Sequence, residues 1–372
     1  MKFTINKRDI VDVMGKVQGL TGRRSSLAIT ECVRIQGSED RVQITATDLE
    51  TCYEGTFPAQ VENSGTIAIA ARKFYEIVRE FPAADIMIQE AENRWINIGD
   101  KKVHYHLMGM NPDDFPNTPF FEAGEMFDIP SADLKKMIEK SIVISGIGED
   151  KKAHINGVLF ERLTEETPKR LRMVSTDGSR LSKYDYRFAD DQALPAGEAV
   201  IVPKKGLHEV SKFLGAGGNV QVAIEGSYFI VKAPAETLAI RLLEGQFPKY
   251  GDIIFRSEGY AIEMDKDKFH NMLKRMSILC TDSYRAAFFT FDADQLVINA
   301  TNPDIGESKE DMPIAYTGPK MEAGFNPRFF IEALNCVEDE KLIVNILNDE
   351  KPCLLEGVTD KSYLGVIMPM RV

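Results

Sequence analysis

The stretch Phe3-Thr-Ile-Asn-Lys-Arg-Asp-Ile-Val-Asp-Val-Met-Gly-Lys-Val17 decides the fold, because its outline comes back twice along the chain. A short alternating strand, Phe3-Thr4-Ile5, runs straight into an apolar stripe of Ile10, Val13, Met14 and Val17. The same pair of signals opens again at Phe127-Asp128-Ile129, followed by Leu134, Met137 and Ile138, with Ser141 in the fourth place. It opens a third time at Ile262-Glu263-Met264, followed by Phe269, Met272, Leu273 and Met276. The i, i+3, i+4, i+7 spacing is that of a helix with one buried face. Three copies of one unit imply a modular architecture.

The landmarks that follow keep their order in each copy. A strand ending in a Thr-Asp or Thr-Asn turn appears as Ile44-Thr-Ala-Thr-Asp48, Met173-Val-Ser-Thr-Asp177 and Ile298-Asn-Ala-Thr-Asn302. Asp and Asn suit such turns because their side chains accept hydrogen bonds from nearby backbone amides. A second helix comes next, at Ala71-Arg-Lys-Phe-Tyr-Glu-Ile-Val78, Pro203-Lys-Lys-Gly-Leu-His-Glu-Val210 and Asn326-Pro-Arg-Phe-Phe-Ile-Glu-Ala-Leu334. Pro203 and Asn326 sit where helix starts favour them. Thr47 and Thr176 are 129 positions apart, Thr176 and Thr301 125, so each copy is a whole domain and not a short solenoid repeat.

Length and composition fit three ordinary cores, at 372 residues and 44% hydrophobic. Connectors stand out at Asn111 to Phe121, with Pro112, Pro116 and Pro119, and at Gly245 to Gly259, with Gly-Gln-Phe-Pro. Short alternating runs such as Thr66-Ile-Ala-Ile-Ala70, Trp95-Ile-Asn-Ile98 and Val220-Gln-Val-Ala-Ile224 read as strands. The expectation is an α+β chain of three similar tandem domains, 1–120, 121–251 and 252–372, each with two helices and antiparallel sheets.

The opening segment lacks the apolar run of a signal peptide, and no stretch reaches the ~20 apolar residues of a membrane span. Cys32, Cys52, Cys280, Cys336 and Cys353 form an odd, scattered set without a Cys-x-x-Cys pair. These features place the protein in a reducing cytoplasm, with no membrane partner.

The chain carries a net charge of −12, which argues against a nucleic-acid partner until its distribution is considered. Over the six helical segments 6–18, 71–81, 131–143, 203–214, 265–279 and 326–337 the charges add to +7, leaving −19 for everything else. Six helices on one side would therefore offer phosphate a positive surface on an acidic body. Lysines on a solvated helix face are common. Here, however, they recur in equivalent places: Arg72-Lys73 and Lys204-Lys205 open the second helix of two modules, and Arg328 matches Lys205 in the third.

Chemistry-bearing motifs resolve into structural roles. His104 and His106 alternate along a strand and share a face, but a metal site needs further ligands and none is suggested nearby. Gly215-Ala-Gly217-Gly218 follows a helix and precedes a strand, the reverse of a phosphate loop, so it reads as a cap and turn. Asp48 with Glu50 is not repeated as a carboxylate pair in the other modules, where Asp177 precedes Ser179 and Asn302 precedes Asp304. Turn formation explains the repeated residue. No nucleophile with a base, no H-E-x-x-H and no P-loop is present in the sequence. No cofactor, metal or catalytic group is expected; the chain reads as a binding device.

Six segments carry a family likeness: Met1-Lys-Phe-Thr-Ile5, Ala71-Arg-Lys-Phe-Tyr75, Ile155-Asn-Gly-Val-Leu-Phe-Glu161, Ser175-Thr-Asp-Gly-Ser-Arg-Leu181, Ile201-Val-Pro-Lys-Lys-Gly206 and Val366-Ile-Met-Pro-Met-Arg-Val372. The chain resembles, over its whole length, the β sliding clamps of bacterial DNA polymerase III. The resemblance implies a DNA clamp fold closing as a head-to-tail homodimeric ring of six domains, with paired helices lining a hole around double-stranded DNA. Such a ring slides without reading sequence, because helix lysines supply a field and not base contacts. Partners implied are a clamp loader, the replicative DNA polymerase and other proteins with short hydrophobic clamp-binding motifs.

Three groups of residues follow from the resemblance. Arg24, Lys73, Lys152 and Lys205 match positions that reach DNA. Tyr105 and Leu107 on one edge strand should meet Ile278 and Leu279 of a second copy. A partner-peptide pocket maps to Ile155, Thr176, Gly178, Arg180, Leu181, Pro248, Ile253, Asn326, Phe329, Val366, Met368, Pro369, Met370 and Arg371. Methionines suit a surface that accepts several ligands. Glu149 departs from the neutral residue expected in the loop that carries Lys152, and Ser179, Asp252 and Val372 depart from the family pattern in ways that bear on which peptides are preferred. A metal-dependent DNA enzyme and a peptide-binding scaffold without DNA are the rival classes.

Overall fold

The computed structural model describes residues 1–22, 27–119, 125–144, 153–189, 193–215, 217–254 and 259–370. Seven helices lie among them: α1 (Lys7–Thr21), α2 (Ala71–Glu80), α3 (Ser131–Ser141), the short α4 (Ala153–Asn156), α5 (Lys204–Phe213), α6 (Lys266–Met276) and α7 (Pro327–Leu334).

The repeated helices form for repeated reasons. Asn6 caps α1 by accepting from the Arg8 amide at 3.0 Å, and Asp265 caps α6 by accepting from Lys268 at 2.9 Å. The predicted stripes are buried in all three copies, Ile10 to Val17, Leu134 to Ile138 and Phe269 to Met276. Ser141 is buried in the fourth place because its hydroxyl donates back to the Met137 carbonyl at 2.7 Å. In the first and third modules the two helices lie side by side, and a lysine at the first position of the leading helix reaches the far end of its partner. Lys7 donates to the Phe81 carbonyl beyond α2, and Lys266 to the Val337 carbonyl beyond α7, at 3.1 Å. A cation there satisfies an orphan carbonyl and complements the helix dipole.

The Thr-Asp turns also repeat in atomic detail. Asp48 accepts from the Glu50 amide at 3.1 Å, Asp177 from that of Ser179 at 2.9 Å and Asn302 from that of Asp304 at 3.0 Å. The glycine cluster caps and turns as expected: Ser131 donates through its hydroxyl to the Gly215 carbonyl, and Gly218 adopts a φ of 81° that favours glycine.

The strands assemble differently from three self-contained modules. By contact, the chain divides into two compact units, residues 1–135 with 205–242 and residues 136–204 with 243–372. The first unit holds an eight-stranded antiparallel sheet in which Glu236–Arg241 of the second module pairs with Thr51–Pro58 of the first, setting Leu238 opposite Tyr53 and Ala239 opposite Cys52. The second unit repeats the arrangement, with Arg180–Arg187 pairing with Tyr363–Ile367 and Leu181 opposite Val366. Alternation in sequence identifies strands and faces but not which edge finds which, so fusion across module boundaries was not readable from it.

Each unit also has a smaller sheet belonging to one module. In the first unit its strand order runs Gln60–Asn63, Lys2–Asn6, Asp85–Glu90, Trp95–Gly99, His104–Met108. In the second it runs Gly306–Pro313, Gln295–Asn302, Ala287–Phe291, Met321–Phe325. His104–Met108 and Gly306–Pro313 are therefore edge strands. All five cysteines are buried as free thiols.

Candidate functional site

The strand pair that fuses the second and third modules carries Arg180, Leu181 and Val366 of the predicted pocket residues. Leu181 and Val366, opposite each other in register, join Leu159, Val174, Ile201, Leu354 and Leu364 in one apolar cluster. Leu243, Phe247, Tyr250, Ile253 and Ile254 pack against it from the connecting segment and stay partly open. A half-buried apolar surface of this kind favours an incoming apolar side chain, each buried leucine or phenylalanine contributing about 2 kcal/mol.

Polar residues frame the patch. Thr176 accepts from the Gly178 amide at 3.1 Å and donates to the Arg180 carbonyl at 2.7 Å, fixing the turn. Gly178 is exposed with a φ of 88°, so a side chain there is strained although space is free. The Arg180 guanidinium lies 4.2 Å from the centre of the Phe329 ring, and it pairs with Asp177 at 3.1 Å and with Glu332. Asn326 caps α7 by accepting from the Arg328 amide at 3.0 Å and thereby sets the turn that carries Phe329. Ile155 is buried, and its carbonyl receives the Lys204 ammonium at 2.6 Å. Burial pulls Lys204 down to about 8, against the opposing influence of Asp177.

Met368, Pro369 and Met370 leave the last strand half-buried, with the Met368 amide donating to Ser179 at 2.9 Å and that of Met370 to Gly324 at 2.8 Å. Pro248 and Asp252 are exposed on the connecting segment. Arg371, Val372 and Glu149 lie outside the described residues. Sequence reading passed over Phe247, Tyr250, Leu354 and Leu364; two aromatics inside a Gly/Pro connector were the visible signal.

Of the predicted DNA-facing residues, Arg24 and Lys152 lie outside the described residues. Lys73 is exposed on α2 and pairs with Glu76 at 2.7 Å. Lys205 at the start of α5 is held by Asp48 at 2.6 Å and Glu50 at 3.1 Å. Burial acts against its charge, but the two carboxylates prevail and raise its pKa. The Asp48–Glu50 pair thus does two things, turn and ion pair, where the sequence suggested only the turn. Helix cations elsewhere are likewise countered: Lys16 by Asp12 and Glu236, Lys136 and Lys140 by Glu338, Arg275 by Glu310. Lys73–Glu76 and Arg275–Glu310 are the more exposed of these pairs and hold their cations weakly, whereas Lys16, Lys140 and Lys205 are part-buried.

The edge residues are open. Tyr105 is 41% exposed and Leu107 half-buried on the 104–108 strand, beside Trp95 at 40% and Met108 at 54%. His104 and His106 share a face, ring centres 5.5 Å apart, and are exposed. Ile278 is 74% exposed after α6, Leu279 is half-buried, and Ile305 next to the 306–313 strand is 59% exposed. Among the described residues no three His, Cys, Asp or Glu side chains gather so as to hold a metal ion.

Comparison with known proteins gives one answer along the whole length. Profiles described as the N-terminal, central and C-terminal domains of the DNA polymerase III beta subunit match residues 1–119, 128–249 and 253–371. The chain is 29% identical over 376 residues to the beta sliding clamp of Escherichia coli, covering all of both chains. It is 27% identical to the beta sliding clamp of Chlamydia pneumoniae, covering all of this chain and 99% of that one. Among solved structures, a sliding clamp (DNA polymerase III subunit beta) from Bartonella birtlesii bound to griselimycin superimposes with a TM-score of 0.92 at 25% identity, covering all of both chains.

Proposed function

The chain belongs to the DNA polymerase III beta subunit family, and from that premise we propose that it is a DNA sliding clamp: a head-to-tail homodimer whose ring encloses duplex DNA and tethers the replicative polymerase. The observation that carries the reading is the pattern of strand edges. Two module junctions within the chain are made by fusing half-sheets, and the first and third modules each keep an open edge strand flanked by exposed apolar side chains. Joining 104–108 of one copy to 306–313 of another would make a third junction like the other two, and two copies of three domains then close on themselves. Tyr105 and Leu107 would meet Ile278 and Leu279 there.

In this reading the three domains span 1–120, 121–251 and 252–372. Arg24, Lys73, Lys152 and Lys205 face the duplex, exchanging carboxylate partners for phosphate and supplying attraction without sequence readout. The apolar patch at the second junction takes short hydrophobic motifs of the clamp loader, the polymerase and repair proteins, with Arg371 completing its rim. The protein works in the cytoplasm as a processivity subunit without chemistry of its own. No helix among the described residues is long and apolar enough to cross a membrane.

The test is topological. Loaded on a nicked circular plasmid by its ATP-driven loader, the protein should stay bound through gel filtration and leave when the circle is cut once. Retention that survives linearisation, or none on circles, rejects enclosure. Cutting or modification of DNA with magnesium favours the enzyme class. Griselimycin, found with the Bartonella birtlesii relative, probes the pocket separately.

A further inference from the structure

A buried ion cluster lies beside the apolar patch, on the same sheet face, where Lys183 and Asp185 follow Leu181 at intervals of two along one strand. The Asp185 carboxylate accepts from Arg172 at 2.7 and 3.0 Å and from Lys183 at 2.8 Å, with Arg170 at 3.4 Å. Asp185 and Lys183 are both buried. Removing such charges from water offsets most of what their attraction returns, so the cluster is poorly explained by stability alone. The first module confirms that the fold does not require it. Its matching strands pair in the same register, but Gln43 faces Thr56 where Arg172 faces Asp185, and Glu54 stands at the place of Lys183.

What the second junction has besides is Tyr250. The remaining Arg172 nitrogen lies 3.4 Å from the Tyr250 hydroxyl, which donates to the Glu161 carboxylate. The ring of Tyr250 meets Phe247 edge-on at 6.3 Å, and both lie on the apolar patch. In the first connector Thr118 follows Phe115 at the distance at which Tyr250 follows Phe247, so the phenol is particular to the second. Pro248, Lys249, Gly251 and Asp252 around it are exposed, which leaves the aromatic side chains to fasten this wall.

We propose that Arg172, Asp185 and Tyr250 form a latch that holds the 247–254 segment in the shape a partner peptide meets, making Arg172 and the Tyr250 hydroxyl positioning groups for peptide capture. The proposal rests on reading the patch as a peptide pocket. A wall held ready keeps the whole population competent; an unlatched wall reduces the competent fraction and raises the apparent Kd in proportion.

The experiment is surface plasmon resonance of griselimycin on the full-length protein and on Tyr250→Phe and Arg172→Gln, with thermal midpoints alongside. Tyr250→Phe keeps the ring and removes only the anchor; Arg172→Gln installs the residue of the first module. Association should slow about fivefold in both, with dissociation within about twofold; the midpoint of Tyr250→Phe should move little, while that of Arg172→Gln should fall by several degrees, because buried Asp185 keeps only Lys183 and Arg170. Unchanged association rates in either variant that folds overturn the latch. So does a loss carried wholly by dissociation, which would make Tyr250 a direct contact. A wild-type protein that takes no griselimycin removes the pocket reading beneath it.

Discussion

The two junctions inside the chain are one backbone device clothed in different side chains. Cys52 faces Ala239 at the first, where Leu181 faces Val366 at the second. The small pair helps line a cavity of about 410 Å³ together with Ile230, Met126 and the charged Glu54, Lys232 and Glu236. The large pair instead sits in a cluster that continues through Leu354 and Leu364 and is flanked by partly open aromatics. Strand pairing thus decides where modules join. Side-chain volume and the buried charges beside it decide what face the joint presents.

The harshest way to break the contrast is to place a charge at matched positions. Leu181→Asp should cost about 4 kcal/mol in denaturant unfolding, because it sets a carboxylate among the apolar side chains of its cluster, and Cys52→Asp, facing a cavity that contains Lys232, about half that. Equal losses would mean that the two floors are alike. A gentler exchange sharpens it: Leu181→Cys should cost about 2 kcal/mol through the void it leaves, and Cys52→Leu less than about 1 kcal/mol because room exists. A large penalty for Cys52→Leu would show the cavity to be unusable.

The smallest effect concerns the basic residues that open the second helices. Arg72 is exposed in the first module, whereas Lys204 in the second is buried with its pKa lowered to about 8. A lysine lowered in the folded state leaves the unfolded chain binding more protons above that value, so stability rises with pH. Between about pH 7 and 9 the gain from Lys204 is about 1 kcal/mol, and Lys204→Met should abolish it. An unchanged pH profile in the variant would place that ammonium in water.

Much of this was legible because the repeat is local. Stripes of helical period, Thr-Asp turns and the Asn326-Pro327 start depend on neighbours a few residues away, and each forms where its sequence says. The pairing of 51–58 with 236–241 depends on two edges almost two hundred positions apart, and period-two patterns carry no label for a partner. The proposed peptide pocket rests on resemblance. Its apolar floor and the Arg172 cluster were invisible because an ion pair between strands is a fact of register, and Arg172 in sequence is only one more arginine near a turn. The helix lysines were read as free charge for the same reason: Glu338 lies about two hundred residues from Lys136, yet meets it at 2.6 Å.

The burial of every cysteine has a practical consequence. Desolvation pushes the Cys32 thiol up to about 11 and that of Cys52 up to about 12, and raises those of Cys280, Cys336 and Cys353 as well. Thiols held protonated and out of solvent react slowly with maleimides and oxidants. A single new thiol at an exposed position, such as Ile278→Cys, would take a fluorophore almost alone on the native background, turning the open edge into an optical reporter of whether two copies have met.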